Sequence, residues 1–199
     1  HTNIETLRLL GSISHDFNAV LHLEEIIKSL QAELEKYPVW PWYELGVALV
    51  GRGGESFPKT QFNYYHIIPK SPARQENFTI FALKDTLIAE IIYQKNPILR
   101  DIPTSHTSRT DGFSLYLKER DIASYIAIPL IVKKKALGVL YAGFRDRSAR
   151  TVAVQKLLQN IADELARAIE SLYLLYDLRI SLDELKQAHQ ELKGLDNLK

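Results

Sequence analysis

The sequence predicts an α+β fold, in which one sheet of about five to six strands carries helices on both faces and is followed by a long C-terminal helix. Residues 123–132 and 136–144 predict the sheet centre, because both stretches are apolar at odd and even positions. Strands of this kind need cover on both faces of the sheet. Residues 151–199 predict the final helix, since their apolar spacing is helical and no proline interrupts them.

Two helices are expected at the beginning of the chain, because apolar residues recur every three or four positions between residues 2 and 36. Their junction is predicted at residues 18–22. Glu24 and Glu25 follow this junction, where the positive N-terminal end of a helix favours acidic side chains. Two prolines soon after residue 36 end the helical pattern.

Four further strands and two short helices are predicted between these ends. The strands are expected at residues 43–50, 61–68, 78–83 and 98–101, and the helices at residues 85–94 and 112–120. The glycines of segment 51–54 are interpreted as a hairpin turn between the first two strands. A phosphate-binding loop would instead need a Lys-Ser/Thr step at the start of a helix.

The amino-acid composition excludes several kinds of binding surface and reactive site. The 199 residues include 25 Lys or Arg and 24 Asp or Glu, which leaves a net charge of +1 and argues against a polyanion-binding surface over the whole protein. Cysteine is absent, which excludes disulfides, thiolate metal sites and thiol nucleophiles. A reducing, cytoplasmic location fits this best. No apolar run approaches the roughly 20 residues that span a bilayer. Because the chain begins with His1 and has no methionine, we expect it to be a segment of a longer protein.

The predicted last helix has two parts. Residues 154–175 carry a broad apolar stripe, wide enough to pack on a sheet and a second helix. From Leu178 the stripe narrows to the two-in-seven seam of a coiled coil, and the register slips once between Leu172 and Leu178. At about 1.5 Å per residue this helix extends about 72 Å, whereas the body has a radius of gyration of roughly 15 Å. The helix must therefore leave the body.

An exposed leucine seam needs a second helix to cover it, and the simplest partner is another copy of the chain. We therefore expect a parallel homodimer with an output region beyond Lys199. The residues predicted for the dimer helix are Leu165, Leu172, Leu175, Leu178, Leu182, Leu185 and Leu192.

Several segments in this order resemble GAF domains. They are Val20 to Ile27, Leu87 to Ile92, Asn96 to Asp101, the Ala-Ile-Pro-Leu sequence at 127–130 and Ala136 to Tyr141. The resemblance covers about residues 2–176 and implies a GAF-like, profilin-like and PAS-related antiparallel sheet. It divides the chain into a GAF domain at 1–176 and a coiled-coil signalling linker at 177–199. The domain comprises N-terminal helices at 2–36, a sheet and pocket layer at 43–144, and a packed helix from residue 151.

The end of the chain, residues 182–199, resembles the connector that enters the dimerisation helices of sensor histidine kinases. The phosphoacceptor box itself is absent, and His189 does not stand in such a box. The resemblance implies a non-catalytic sensory module of a two-component phosphorelay protein, with a kinase domain downstream. A diguanylate cyclase, a phosphatase or a transcription regulator is the alternative parent. A stand-alone catalytic domain is a further hypothesis, against which the lack of cysteine and of metal-spaced motifs counts.

In GAF domains a ligand sits between one sheet face and the helix-and-loop layer, which residues 85–120 would form here. The residues proposed to line this pocket are Tyr65, Phe81, Tyr93, Arg100, His106, Tyr116 and Tyr125. For each of these residues the alternative is core packing or surface exposure. For the pocket, the alternative is that it is empty in a domain that serves only as a dimerisation and relay module. The parity of strand residues is not fixed by the sequence.

Cofactor predictions follow from what the sequence lacks. Without cysteine, no covalently attached bilin is expected, and the sulfoxide-reducing GAF chemistry is excluded. A haem would need His66 to face a pocket, and a hydrogen-bonded strand histidine is the favoured alternative. Near Phe113 the acidic pair of cyclic-nucleotide-binding GAF domains is replaced by Leu117-Lys118. No histidine pair has the spacing of a helical metal site, and no catalytic residue is assigned.

The basic cluster Lys133 to Lys135 is interpreted as a solvated turn, since stacking aromatics are not interleaved with it. We therefore expect no binding of nucleic acid by this segment of the protein.

Overall fold

A six-stranded antiparallel sheet forms the centre of the protein, in the order β3-β2-β1-β6-β5-β4. The computed structural model describes residues 23–36, 40–50, 60–68, 78–102 and 111–197. The strands are β1 (Glu44–Leu49), β2 (Gln61–Ile68), β3 (Phe78–Ala82), β4 (Ile98–Asp101), β5 (Ser124–Val132) and β6 (Lys135–Phe144). The predicted α+β class and antiparallel sheet are confirmed.

Four α-helices accompany the sheet in the described residues: α1 (Leu23–Glu35), α2 (Leu87–Gln94), α3 (Gly112–Glu119) and α4 (Val152–Asp196). A single 3-10 turn, Arg147–Ala149, precedes α4. Three helices begin at a side-chain cap, which is Thr86 for α2, Asp111 for α3 and Thr151 for α4. The first of the two predicted N-terminal helices and the glycine-rich segment 51–54 lie outside the described residues.

Helices cover both faces of the sheet, and each face has its own apolar core. On one face, Leu30 and Leu34 of α1 and Leu158 of α4 pack against the odd-numbered side chains of β1. On the other face, α2 and α3 pack against the opposite side of the sheet. This arrangement explains why the central strands are apolar at both parities.

The turn between β5 and β6 is strained. Lys133 and Lys134 have φ angles of 48° and 67°, in the left-handed region that disfavours residues with a Cβ. Lys133 Nζ lies 3.5 Å from Glu170 Oε1 of α4, and Lys95 Nζ donates to the Lys134 carbonyl at 2.8 Å. The turn therefore lies close to the last buried part of α4.

Helix α4 changes its environment along its length. Its buried residues end at Ile169, and Leu165 is fully buried against the sheet, which leaves this predicted dimer residue no surface for a partner chain. Leu172 is partly buried against the same core. The later leucines Leu175, Leu178, Leu182, Leu185 and Leu192 are exposed, as are Leu174 and Leu195. Among the described residues, no helix combines the length and apolar character needed to cross a bilayer.

Candidate functional site

A buried carboxylate lies between the sheet and the α2/α3 layer. Glu44 is the first residue of β1 and is fully buried. Side chains alternate along a strand, so Glu44, Gly46 and Ala48 face α2 and α3, while Leu45 and Val47 face α1 and α4.

Two tyrosines donate hydrogen bonds to one oxygen of this carboxylate. The Tyr64 hydroxyl lies 2.9 Å from Glu44 Oε1, and the Tyr116 hydroxyl lies 2.6 Å from the same atom. Tyr64 comes from β2 and Tyr116 from α3, so the carboxylate ties the helix to the sheet.

His66 extends the network. Its Nδ1 is 3.1 Å from the Tyr116 hydroxyl, and its Nε2 is 3.3 Å from Thr79 Oγ1. Because Tyr116 gives its only proton to Glu44, His66 donates to the Tyr116 hydroxyl from Nδ1, and in the neutral imidazole Nε2 then accepts from Thr79. The interpretation of His66 as a hydrogen-bonded strand histidine agrees with this arrangement.

The second carboxylate oxygen is less well satisfied. Arg120 Nε lies 3.7 Å from Glu44 Oε2, and within the part of the chain that the structure describes this oxygen has no hydrogen-bond partner. The Tyr141 hydroxyl is also buried and, among the described residues, has no hydrogen-bond partner either. The Arg120 guanidinium stacks over the Tyr116 ring, 4.7 Å from its centroid.

Burial controls the acidity of these groups. Loss of solvation raises the pKa of Glu44, and the donors Tyr116 and Tyr64 together with the charge of Arg120 oppose this increase. Burial also raises the pKa of Tyr64 and Tyr141, and the charge of Glu44 adds to the effect. The tyrosines therefore remain neutral donors.

Aromatic rings line the region around the carboxylate. Tyr64 lies edge-on to Phe113 and Tyr116, with ring centroids 5.2 and 5.7 Å apart. Phe81 lies 5.6 Å from Tyr116, and Tyr141 lies 5.7 Å from Phe113. The carboxylate thus lies in an aromatic layer of low polarity.

Gly46 makes room for this layer. A Cβ at position 46 would lie 2.2 Å from the Cζ and hydroxyl oxygen of Tyr64. The Tyr64 ring therefore lies directly over the bare backbone of β1, and this position brings its hydroxyl to Glu44.

The structure separates the residues predicted to line a pocket. Phe81, Tyr116 and Tyr125 belong to the α2/α3 face. Tyr65 lies on the opposite face, where it packs against Phe78 in the α1/α4 core. The reason is strand alternation, which places its neighbour Tyr64 on the α2/α3 side.

Two other predicted positions lie at the surface. Tyr93 is 88% exposed. Arg100 on the edge strand β4 donates two hydrogen bonds to Glu90, at 2.6 and 3.2 Å, and this pairing raises the pKa of the guanidinium. His106 lies outside the described residues.

Sequence reasoning missed four residues of the network, namely Glu44, Tyr64, Thr79 and Arg120, and it also missed the neighbouring Tyr141. One signal was available: Glu44 is the single charged residue in β1, Glu44–Leu49 (ELGVAL), at the start of an otherwise apolar strand. Buried charges of this kind are rare and need partners. Within the described ranges, no cluster of acidic or histidine side chains could hold a metal ion.

Comparison with known proteins identifies the family to which this chain belongs. The model of the GAF domain matches residues 22–169, which is most of the chain. The chain therefore belongs to the GAF domain family. A search of curated proteins finds no significant match.

Solved structures of similar fold come from several kinds of protein. The GAF domain of a two-component sensor histidine kinase from Bacillus halodurans is 20% identical, with a TM-score of 0.61, and the match covers 78% of this chain and 99% of that one. A methyl-accepting chemotaxis protein segment is 15% identical, with a TM-score of 0.63 and coverage of 82% and 98%. The GAF domain of an Acinetobacter phosphoenolpyruvate-protein phosphotransferase is 12% identical, with a TM-score of 0.60 and coverage of 86% and 97%. At these identities the likeness concerns the fold.

Proposed function

We propose that this GAF domain is a non-catalytic sensory module of a signal-transduction protein, and that it relays its state through a dimeric α4. A sensor histidine kinase of a two-component phosphorelay is the parent protein we favour. The GAF domains of a sensor kinase and a phosphotransferase, and a segment of a chemotaxis protein, have a similar fold and support a regulatory role. A cytoplasmic location is part of the same proposal.

The observation that carries the proposal is the exposed half of α4. Up to Ile169 the helix is a structural part of the domain, and beyond that residue it carries leucines with about half or more of their surface exposed, such as Leu178 at 57% and Leu185 at 66%. Covering the exposed part of such a side chain stabilises by roughly 1–2 kcal/mol, since full burial of a leucine is worth about 1.5–3 kcal/mol. A parallel second copy aligns the same leucines and covers them all.

The relay follows from the continuity of α4. Its buried half packs on the sheet, and the other face of the same sheet carries the Glu44 network. A change in the α2/α3 layer that alters the sheet therefore reaches the buried part of α4. Two packings of the paired exposed helices would convert that change into a signal for an output region beyond Lys199.

The absence of cysteine permits a sharp test. Leu178→Cys and Leu192→Cys are made separately in the full chain, with Gln187→Cys on the opposite side of the predicted seam as the matched control. Under mild oxidation, parallel helices link Leu178→Cys to itself and Leu192→Cys to itself, whereas Gln187→Cys links poorly. Light scattering gives the mass of the unmodified chain, with and without residues 177–199.

We expect the full chain to have the mass of a dimer and the truncated chain that of a monomer. We also expect efficient disulfide linking at both seam positions, 178 and 192. A monomer at high protein concentration would overturn the relay. Linking only in a mixture of the two seam variants would overturn the parallel arrangement, since antiparallel helices bring position 178 against position 192.

A further inference from the structure

We propose that Glu44 is the recognition point of a ligand site in the α2/α3 layer, and that the group it takes is a small cation with N–H donors, such as a guanidinium or a primary ammonium. The inference deepens the sensory role proposed above and rests on it. It concerns the chemical class of ligand that this particular layer would select.

Two buried polar atoms without a hydrogen bond point to such a site. Glu44 Oε2 and the Tyr141 hydroxyl are both fully buried and make no hydrogen bond within the described part of the chain, although buried polar groups normally make one. Glu44 lies directly opposite Gly143 in the adjacent strand, and a Cβ at Gly143 would lie 3.1 Å from the Tyr141 hydroxyl. Both atoms therefore lie in one neighbourhood.

The charge of this neighbourhood sets the ligand class. A carboxylate accepts about four hydrogen bonds, and the two tyrosine donors use only Oε1. A cation that brings N–H donors would satisfy Oε2 by charge-assisted hydrogen bonds, which are about twice as strong as neutral ones. An anionic ligand would meet the Glu44 charge at close range and would be rejected.

Arg120 lies between the surface and the carboxylate, where it acts as a displaceable stand-in for that cation. Its side chain is 29% exposed, so it reaches from the surface toward the buried carboxylate, and its Nε stops 3.7 Å from Glu44 Oε2. Its guanidinium also lies over the Tyr116 ring. A ligand cation could use the same carboxylate and the same aromatic face.

A comparison within the chain supports displacement. Arg100 forms a close double contact with Glu90, at 2.6 and 3.2 Å, on the surface. Arg120 makes no such contact with Glu44, although a buried carboxylate has more need of one. Arg120 also ends α3, which its backbone N–H caps. Displacing the guanidinium would therefore leave that cap in place but would break the side-chain link between the end of α3 and Glu44 of β1.

The test uses ethylguanidinium chloride as the probe, with propionamide as a neutral analogue of similar size and sodium chloride to match ionic strength. The full chain is compared as wild type, Arg120→Ala, and the double variant Arg120→Ala with Glu44→Gln. Arg145→Ala is the matched control, because Arg145 also stacks on an aromatic ring, 3.5 Å from the Tyr43 centroid, but no buried carboxylate is part of that stack. Saturation-transfer NMR measures binding, and circular dichroism confirms folding.

Ethylguanidinium should bind wild type, and should bind Arg120→Ala more tightly because the competing guanidinium is gone. Adding Glu44→Gln should weaken binding by about tenfold or more, the equivalent of one hydrogen bond to a charged group. If that variant does not fold, Tyr116→Leu in the Arg120→Ala background tests the aromatic contact instead, with a loss of binding as the expected result. Arg145→Ala should bind like wild type.

Three results would overturn the site. They are equal binding of propionamide, binding that ignores the Glu44 substitution, and binding to Arg120→Ala with none to wild type, which would make Arg120 a permanent counter-ion. The dimer measurements above are independent of these. A monomeric chain with the expected binding pattern would refute the relay and leave the site, whereas a dimer without the pattern would refute the site alone.

Discussion

Replacing Gly46 by alanine should strongly destabilise the domain, because the added methyl group would occupy the place of the Tyr64 ring. The new Cβ would lie 2.2 Å from two atoms of that ring and 2.7 Å from a third. Since ordinary carbon contacts begin near about 3.5 Å, the ring must retreat by more than about 1 Å.

Tyr64 has no room for this movement without loss. Its ring is fully buried and packs on Phe113 and Tyr116, and its hydroxyl would leave hydrogen-bonding distance of Glu44. Overpacking costs about 1–3 kcal/mol, and a lost hydrogen bond to a charged group costs about 1.5–3 kcal/mol. The free energy of unfolding should therefore fall by about 2.5 kcal/mol or more, which corresponds to a decrease in Tm of about 5 °C or more for a domain of this size.

Thermal and urea unfolding followed by circular dichroism measure the loss, and Gly194→Ala is the matched control. A Cβ at Gly194 meets nothing within 4 Å, and in a helix this change should stabilise by about 0.5–1 kcal/mol. In a Tyr64→Leu background the cost of Gly46→Ala should shrink, because the clashing ring is gone. A Tm for Gly46→Ala within about 2 °C of wild type would refute the packing argument.

Three further variants test other parts of the structure. Burial raises the pKa of Glu44 in the folded state, so just above the ordinary Glu pKa the folded protein binds more protons than the unfolded chain. The stability of the wild type should therefore fall relative to that of Glu44→Gln as pH rises from about 4 to 7. Urea unfolding measures this difference, and a difference that stays constant with pH would contradict the assignment. Lys133→Asn with Lys134→Gly should raise the free energy of unfolding by about 1–2 kcal/mol, because both residues have positive φ; an unchanged urea midpoint would show that the turn is not strained. Thr86→Ala should lower it by about 1 kcal/mol, since Thr86 Oγ1 caps α2 at the Ala89 N–H and donates to the Leu83 carbonyl; an unchanged Tm would rule out a stabilising cap.

Much of the fold could be predicted from the sequence because its elements have strong local patterns. The hairpin β5–β6 was expected at 123–132 and 136–144 and is found at Ser124–Val132 and Lys135–Phe144. The helix expected at residues 85–94 is found at Leu87–Gln94, and Thr86 caps it. In these segments apolar periodicity, a turn and a capping side chain all indicate the same element.

The candidate site was harder to predict because it depends on which face each strand residue occupies. Strand β2 is aromatic or apolar at both parities, so the sequence does not distinguish Tyr64 from Tyr65. Their faces are fixed by pairing with β1, where the register shifts between Leu45 and Gly46. Tyr116 was identified as a candidate, but its partner Glu44 lies far away in sequence, and only the assembled sheet brings the two together.

Because α4 is one continuous helix, a small tilt of its buried part causes a larger displacement at its far end. The buried half of the helix, up to Ile169, is fixed to the sheet, and the exposed half extends to Asp196, about 40 Å at the usual rise per residue. Over such an arm a tilt of about 5° at the sheet displaces the far end by about 3.5 Å, close to the width of an atom. Rearrangements in the domain that are too small to open a cavity would therefore be amplified at its tip.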